Sequence, residues 1–587
     1  MQSLPESICN LTQLDVIFAN SNNLQSLPTS IANLNRLTIF YAFFNNLQSM
    51  PEEIGKLTRL RILSFSFNRL RSVPESIGRL TNLEFCTLHY NKLQSVPESI
   101  GNLVHLTELN LAHNQLQSVP ESIGNLILLT ELYLYSNQLK VIPESIGKLT
   151  RLQLFQIHSN RLRFLPESIT KLGKLSLFFV YSNQLQSLPE SIGNLTNLTQ
   201  LWSYSNQLQR LPESIGNLKN LNILYLFDNQ LQSVPESIGN LTQLSAFSVA
   251  SNQLKSLPES IGNLKGLTFC ALHSNQLEWL PESIKGWTLL TELYLAVNQL
   301  HSLPESIGNL TNLTTLHLYS NQLRSLPDSI RSLTQLTTLY LGSNQFATLP
   351  DSIGNLTQLS YLTVASNQLR SLPESIGLLT RLAFLDCSDN LLGSIPDWIG
   401  NFNNLTYFDI SSNQIETLPP SISRCSNLAI FLSRNNSISD ISNVNMAKLG
   451  YLDVSKNAIE NIPPQVMKIP ALQYLDGSHN RITNFPRLEP TQCTMGTLIL
   501  HHNDISGLES TENSLFACPR RRLDLSNNRL ENMTIASQIL VNFGPEKVFL
   551  ANNLLSGYFD PARPPKARLT EIDLSGRLQV SVSCVLL

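Results

Sequence analysis

The segment Leu129–Pro143 reads LTELYLYSNQLKVIP, and ESIGKLTR follows before the same pattern starts again. Leu132 and Leu134 alternate with polar and aromatic residues, a period of two that predicts a short strand with one buried and one exposed face. Asn137 comes where the strand ends, and its side-chain amide can hydrogen-bond the backbone of a turn. Pro143 suits the first position of a helical turn, and we expect Gly147 to close that turn.

This unit recurs along nearly the whole chain of 587 residues. An asparagine occupies every 23rd position from Asn22 to Asn436, and the spacing then loosens up to Asn553, so about 25 copies are present. One copy cannot bury its own leucines, so neighbouring copies must stack. The pattern therefore predicts a single α/β solenoid over residues 1–577, with a parallel sheet on the concave face and short helical or 3-10 turns on the convex face. Residues 578–587 are a C-terminal tail.

The consensus LxxLxLxxNxL resembles the leucine-rich-repeat family, whose fold is a horseshoe. Repeats of the form LPESIGNLTNL, as at residues 188–198 and 303–313, are similar to the 23-residue class of intracellular Ras-associated, Scribble-like and plant Ras-group scaffolds. The resemblance implies a monomeric scaffold or adaptor in intracellular signalling that binds a protein partner on its concave face. A small GTPase or another signalling protein is a partner that only the family resemblance suggests.

Composition and motifs exclude several other functions. The 40 basic and 43 acidic residues give a net charge of −3, which lacks the positive field of a nucleic-acid-binding protein. The chain carries no P-loop, nucleophile elbow, HExxH or kinase signature, so we expect neither an enzyme nor a cofactor. Histidines at outward strand positions are separated by several copies, so we expect no metal site. Cys86, Cys270 and Cys387 fall on the buried face as small hydrophobic residues.

The outward strand positions have no packing role, so their residue types report on binding. Aromatic residues dominate them over residues 1–385. The strongest candidates for a partner-binding site are Phe179, Tyr181, Trp202, Tyr204, Tyr225 and Phe227, together with Tyr133 and Tyr135. Tyrosine and tryptophan concentrate binding energy at protein interfaces, which favours a contact surface. The alternative is that these rings only stabilise the sheet by stacking between copies.

From Asp386 onward the copies diverge. Over residues 386–577 aspartates take the central outward position, at Asp386, Asp409, Asp453, Asp476, Asp524 and Asp573. Two interpretations stay open: an acidic surface for a second, basic partner, or a local sequence variant of the repeat without a binding role.

The C-terminal residues and the location leave alternatives open. Cys584-Val585-Leu586-Leu587 fits the pattern for prenylation of Cys584, which would add peripheral membrane association to a cytoplasmic location. If the tail pairs as a final strand, Cys584 is covered and the motif has no effect. Two functional alternatives to the scaffold are a ligand-sensing receptor ectodomain and the repeat portion of a larger effector or signalling enzyme.

Overall fold

The computed structural model describes residues 2–485, 495–506, 521–531, 546–555 and 571–576. The chain divides into two compact units, Met1–Gln299 and Leu300–Leu587. The predicted change of surface at residue 386 lies inside the second unit, away from this division. The prediction of one uninterrupted solenoid over residues 1–577 stays a prediction.

The first unit is a stack of coils, each with one three-residue strand. Its strands, β1 to β13 in chain order, are Val16–Phe18, Ile39–Tyr41, Ile62–Ser64, Phe85–Thr87, Glu108–Asn110, Glu131–Tyr133, Leu154–Gln156, Leu177–Phe179, Gln200–Trp202, Ile223–Tyr225, Ala246–Ser248, Phe269–Ala271 and Glu292–Tyr294. Neighbouring strands pair in parallel with a 23-residue offset, as in Gln200 to Ile223. The offset between paired residues of neighbouring strands therefore equals the 23-residue period of the sequence.

The second unit repeats this arrangement. Its described strands, β14 to β25, are Thr315–His317, Thr338–Tyr340, Tyr361–Thr363, Phe384–Asp386, Tyr407–Asp409, Ile430–Leu432, Tyr451–Asp453, Tyr474–Asp476, Thr497–Ile499, Arg522–Asp524, Lys547–Phe549 and Glu571–Asp573. They also pair in parallel, and the offset shortens to 21 residues between Ile430 and Tyr451. The predicted parallel sheet is confirmed within each unit.

Short 3-10 helices connect most of the consecutive strands. In the first unit they are Glu6–Asn10, Thr29–Asn33, Glu52–Lys56, Glu75–Arg79, Glu98–Asn102, Glu121–Asn125, Glu144–Lys148, Glu167–Lys171, Ile192–Asn194, Glu213–Asn217, Glu236–Asn240, Glu259–Asn263 and Glu282–Gly286. In the second unit they are Glu305–Asn309, Asp328–Ser332, Asp351–Asn355, Glu374–Leu378, Asp397–Asn401 and Pro420–Arg424, followed by one α-helical turn, Pro464–Met467. This confirms the predicted helical or 3-10 turns. Among the described residues, no helix has the length and apolar character needed to cross a membrane.

The interior of each coil is apolar, as the alternation predicted. In the coil that contains the strand Glu131–Tyr133, the side chains of Leu129, Leu132, Leu134, Leu139 and Ile146 are all completely buried. They pack against the equivalent residues of the coils before and after. A single coil would expose these side chains to water, so the coils are stable only when they stack on one another.

The asparagines join consecutive coils through a hydrogen-bonded ladder. The Nδ2 group of Asn137 donates to the carbonyl of Leu111 in the preceding coil at 3.0 Å and to that of Leu134 at 3.0 Å. Its Oδ1 accepts the backbone N–H of Leu116 at 3.0 Å. The same bonds recur in the neighbouring coils, which confirms the predicted role of this residue in satisfying buried backbone groups.

Two details of the turn differ from expectation. Pro143 is not the first helical residue but the residue that caps the turn, with extended backbone angles of φ −69° and ψ 152°. Gly147 lies inside the 3-10 helix rather than at its end. A Cβ atom there would come within 2.5 Å of the Ser168 carbonyl oxygen of the next coil, so the glycine at this position allows the two adjacent turns to approach closely.

Candidate functional site

The outward strand positions form one continuous surface in each unit, which we call the strand face. In one coil these positions are Glu131, Tyr133 and Tyr135, each partly exposed, and they flank the buried Leu132 and Leu134. All eight predicted partner-binding residues lie on the strand face of the first unit. Each is half-buried: Tyr133, Tyr135, Phe179, Tyr181, Trp202, Tyr204, Tyr225 and Phe227.

Six of these residues occupy three consecutive coils and contact one another; we call them the aromatic wall. They are Phe179, Tyr181, Trp202, Tyr204, Tyr225 and Phe227. In one column Tyr204 stacks on Tyr181 at 4.3 Å and on Phe227 at 4.2 Å between ring centroids. In the other column Trp202 lies 4.5 Å from Phe179 and 5.8 Å from Tyr225. The predicted cluster is therefore a single contiguous surface.

Trp202 points outward, as the alternation predicted. Its indole ring is half-buried between the neighbouring rings of the wall, whereas Leu201, one residue earlier, is completely buried. The indole nitrogen is covered by these neighbours and makes no hydrogen bond within the described residues. The ring is therefore part of the strand face and not of the leucine core.

Tyr133 and Tyr135 lie two coils before the aromatic wall, and only one of them is connected to it. Tyr135 stacks on His158 at 4.5 Å, and His158 stacks on Tyr181 at 4.1 Å, so this column runs unbroken into the wall. Tyr133 instead donates a hydrogen bond from its hydroxyl to the Glu131 carboxylate at 2.5 Å. The structure thus joins Tyr135 to the candidate site and places Tyr133 at its margin.

A second row of rings lies at a position that strand alternation does not describe. The residue before each ladder asparagine has a left-handed backbone conformation, with φ between 50° and 59° in the described coils. Phe44, Phe67, Tyr90 and His113 occupy it in four consecutive coils, with ring centroids 3.9 to 4.4 Å apart. His113 then contacts Tyr135 edge-on at 5.1 Å. Four aromatic residues directly before the repeated asparagine were the signal for this row.

The aromatic wall borders a group of short side chains at outward positions, which we call the small-residue slot. It consists of Ala246, Ser248, Ala250 and Ala271, none of which is more than 9% exposed. Tyr225 pairs with Ser248 across the strands on one side, and Ala271 pairs with Tyr294 on the other. These outward positions thus carry short, little-exposed side chains between the large rings of Tyr225 and Tyr294. The sequence signal was two successive copies with small residues at outward positions.

The electrostatics of the wall are those of an uncharged, hydroxyl-bearing surface. None of the outward strand positions in its three coils carries a charged side chain. Burial raises the pKa of Tyr204 to about 12, with a smaller contribution from Tyr181, and burial also raises the pKa of Tyr225. These hydroxyls therefore stay protonated and can donate hydrogen bonds at neutral pH.

The aspartates of the second unit bind the backbone of their own coils. Asp386 Oδ1 accepts the N–H of Ser388 at 3.0 Å, and Asp409 Oδ1 accepts that of Ser411 at 2.8 Å. The same bond recurs at Asp453, Asp476, Asp524 and Asp573. These hydrogen bonds favour the second interpretation, a local sequence variant of the repeat, because each aspartate accepts a backbone N–H group where its own strand ends.

Aromatic residues do not stop at Asp386 but shift to the first outward position. Tyr361 stacks on Phe384 at 4.0 Å, and Phe384 stacks on Tyr407 at 4.3 Å. Tyr451 and Tyr474 form a further pair at 4.1 Å. The predicted contrast between an aromatic and an acidic face is thus incomplete, because this column of rings continues beside the aspartates.

Predictions were made for four cysteines, of which the structure describes three. Cys86, Cys270 and Cys387 are completely buried and unpaired, which confirms their role as core residues. Burial raises the pKa of the Cys86 thiol to about 12, so it stays protonated. Cys584, the predicted prenylation site, lies outside the described residues.

Comparisons with known proteins agree with this geometry. A family model described as a leucine-rich repeat region matches residues 44–132, 113–209 and 287–388, and a model described as a leucine rich repeat matches residues 404–425. No curated protein matches the chain.

Several solved structures are similar over most of the chain. The plant peptide hormone receptor RGFR1 in complex with RGF2 has 30% sequence identity over 95% of this chain and 92% of its own, with a TM-score of 0.74. A leucine-rich-repeat protein of Leptospira interrogans has 30% identity over 69% of this chain and 99% of its own, with a TM-score of 0.55. The Arabidopsis receptor kinase HAESA in complex with the peptide hormone IDA and the co-receptor SERK1 has 28% identity over 83% and 85%, with a TM-score of 0.64.

Proposed function

Because this chain belongs to the leucine-rich-repeat proteins, we propose that it is a non-enzymatic, receptor-type protein that binds a peptide or an extended protein segment on the strand face of its first unit. The observation that carries this proposal is the uncharged aromatic wall next to the small-residue slot. The similar receptors RGFR1 and HAESA, each in complex with its ligand, support this ligand-sensing role.

The shape of the surface favours an extended ligand. The wall is an open strip across three adjacent strands, and strands in a sheet lie about 4.8 Å apart. A metabolite needs an enclosing cavity to bury most of its surface. A peptide that advances about 3.3 Å per residue can instead contact several coils in turn and place one side chain in the slot.

The chemistry of the wall suits an apolar or aromatic peptide side chain flanked by backbone. The faces of Tyr181 and Tyr204 are covered by neighbouring rings, so a ligand meets ring edges and hydroxyl groups. Ring edges contact aromatic faces favourably, and protonated hydroxyls can donate to peptide carbonyls. Charged side chains would be desolvated here without a counter-charge.

The test is a selection of linear peptides of about ten residues from a random display library against the full chain. The variant Trp202→Ala/Tyr204→Ala/Tyr225→Ala is expected to weaken binding of the selected peptides about a hundredfold or more, since aromatic hot spots contribute about 2 kcal/mol each. A second variant, Ser248→Arg, introduces a large charged side chain at the slot without removing any ring of the wall, and it is expected to weaken binding as well.

The control is Tyr361→Ala/Phe384→Ala/Tyr407→Ala, which removes a stack of the same size from the second unit. It should bind within about twofold of wild type. Circular dichroism and thermal unfolding establish that each variant is folded. A folded wall variant that binds the selected peptides like wild type would overturn the proposal.

An intracellular scaffold is the second candidate. The observation that favours it is that the described cysteines, Cys9, Cys86, Cys270, Cys387 and Cys425, are all free, as is usual in a reducing compartment. A cytoplasmic location, a small GTPase partner and a monomeric state are parts of this second proposal. Imaging the full-length protein in its own cells distinguishes the two, because an extracellular location would exclude the scaffold.

A further inference from the structure

Three histidines come together on two adjacent coils of the second unit. His479 follows the strand Tyr474–Asp476, and His501 and His502 follow the strand Thr497–Ile499. These two strands pair directly. His479 and His502 occupy the same position in their coils, each with a left-handed φ, of 52° and 54°. The sheet register therefore stacks them, and His501 stands beside them.

The ring nitrogens of this histidine cluster are close enough to share one metal ion. One ring nitrogen from each of His479, His501 and His502 lies within 4.8 Å of the others, and the Nδ1 atoms of His501 and His502 are 2.9 Å apart. A tetrahedral zinc ion with nitrogen ligands at 2.0–2.1 Å requires about 3.4 Å between those ligands. The longest separation thus exceeds the required one by at most about 1.4 Å, so the ring nitrogens must move closer together.

The side chains are free to make these movements. His479 and His502 are exposed, and His501 is half-exposed. The rings of His479 and His502 stack at 4.3 Å with 17° between their planes, so both must rotate to direct a nitrogen at a common point. His501 is already nearly perpendicular to each of them. Rotation of exposed imidazoles costs little compared with three metal bonds.

The surroundings are compatible with a bound cation. The charges that act on the cluster include the carboxylates of Asp476 and Asp524 and the ammonium group of Lys456, and Asp524 also pairs with Arg522 at 2.8 Å, so the surroundings are of mixed charge. Neutral imidazole is the form that binds metals.

We propose that His479, His501 and His502 bind a divalent transition-metal ion, with Zn²⁺ as the natural occupant and a fourth position open to water or to a donor from a ligand. Three imidazoles select zinc, copper or nickel over calcium and magnesium, which prefer oxygen ligands. The expectation of no metal site was drawn from isolated histidines at outward strand positions. His479 and His502 instead lie one repeat apart at the left-handed position, and His501 directly precedes His502.

The experiment is a Zn²⁺ titration of the metal-free full chain by calorimetry, with Co²⁺ absorption spectra to report tetrahedral coordination. Three variants each remove one ligand and use residues that the chain itself has at the equivalent position: His479→Asn, His502→Asn and His501→Ser. Asparagine is also suited to a left-handed φ, as at Asn527 and Asn552. Each is expected to weaken Zn²⁺ binding about a hundredfold.

The matched control is His113→Asn, which replaces a stacked histidine at the same coil position in the first unit. It should bind one equivalent of Zn²⁺ as wild type does. Absence of stoichiometric Zn²⁺ binding by the wild-type chain would overturn the proposal. Unchanged binding in the three ligand variants would place the metal elsewhere and overturn it equally.

Discussion

Tyr204 lies face to face with Tyr181, with 4.3 Å between ring centroids and 9° between ring planes. The two residues are 23 positions apart, so the stack is set by the sheet register and not by local sequence. Tyr181 also stacks on His158, and Tyr204 on Phe227, which leaves the ring edges as the accessible surface. The same contacts that order these rings therefore also decide what a ligand can touch.

The asparagine ladder predicts a large loss of stability from one substitution. Asn206 Oδ1 accepts the N–H of Leu185 at 3.0 Å, and its Nδ2 group contacts the carbonyls of Val180 and Ser203 at 3.2 and 3.1 Å. Asn206→Ala leaves these buried groups unpaired and should lower the free energy of unfolding by about 2–4 kcal/mol. Guanidinium unfolding measures it, with the exposed neighbour Gln207→Ala as control. Equal midpoints for the two variants would refute the role of the ladder.

Ser203 predicts the opposite effect. It stands at a position where neighbouring coils have Val180 and Leu226, it is completely buried, and its hydroxyl has no hydrogen-bond partner within the described residues. Ser203→Ala removes an unsatisfied polar group and should raise the free energy of unfolding by about 1 kcal/mol. Exposed Ser233→Ala should change it little. A destabilised Ser203→Ala variant would show that the hydroxyl is bonded after all.

The effect of a glycine-to-alanine substitution on stability should depend on how closely the next coil approaches that glycine. Gly147→Ala places a methyl group 2.5 Å from the Ser168 carbonyl oxygen, whereas Gly393 has no atom within 4 Å of the same methyl position. We expect Gly147→Ala to destabilise by about 1–3 kcal/mol and Gly393→Ala to be neutral or stabilising by up to about 1 kcal/mol. Thermal unfolding compares the two. A neutral Gly147→Ala would mean that the adjacent turn can shift to accept the methyl group without a measurable cost.

His158 predicts a defined acid sensitivity. Burial between Tyr135 and Tyr181, with a smaller contribution from His113, lowers the pKa of His158 to about 4. The unfolded chain titrates this group near pH 6.5, so it takes up the proton first as the pH falls. The folded state therefore loses stability between about pH 6.5 and 4, and at higher pH this loss is absent.

The variant His158→Phe keeps the ring stack and removes the titration. Between pH 7 and 4.5 it should lose about 1–2 kcal/mol less stability than wild type, a reduced figure because the ring is only half-buried. Urea unfolding at both pH values measures the difference. Identical pH dependence of the two proteins would contradict the assignment.

The architecture followed from the sequence because two periods act together. Alternation of Leu132 and Leu134 with exposed residues fixes the strand, and the 23-residue spacing of Asn137 and its equivalents fixes the register. The outward direction of Trp202 and the buried state of Cys86 followed from the same alternation. These features could be predicted because every copy has the same alternation and the same neighbouring copies on both sides.

The features that were missed depend on geometry between copies or outside the strand. Phe67 and Tyr90 lie where the backbone has a left-handed φ, so a period of two does not give their direction. The role of Gly147 depends on the distance to the next turn, which one copy does not contain. The small-residue slot and the histidine cluster are combinations of residues from two coils, and only the stacked structure brings them together.

Side-chain footprinting by hydroxyl radicals tests the central claim most directly, namely that the aromatic wall on the strand face is the ligand-binding surface. The full chain is oxidised with and without a selected peptide, and mass spectrometry quantifies modification of each ring. We predict that bound peptide reduces oxidation of Trp202, Tyr204 and Tyr225 and leaves Tyr361 and Tyr407 unchanged. Unaltered oxidation of the three wall residues, with protection elsewhere, would contradict the account.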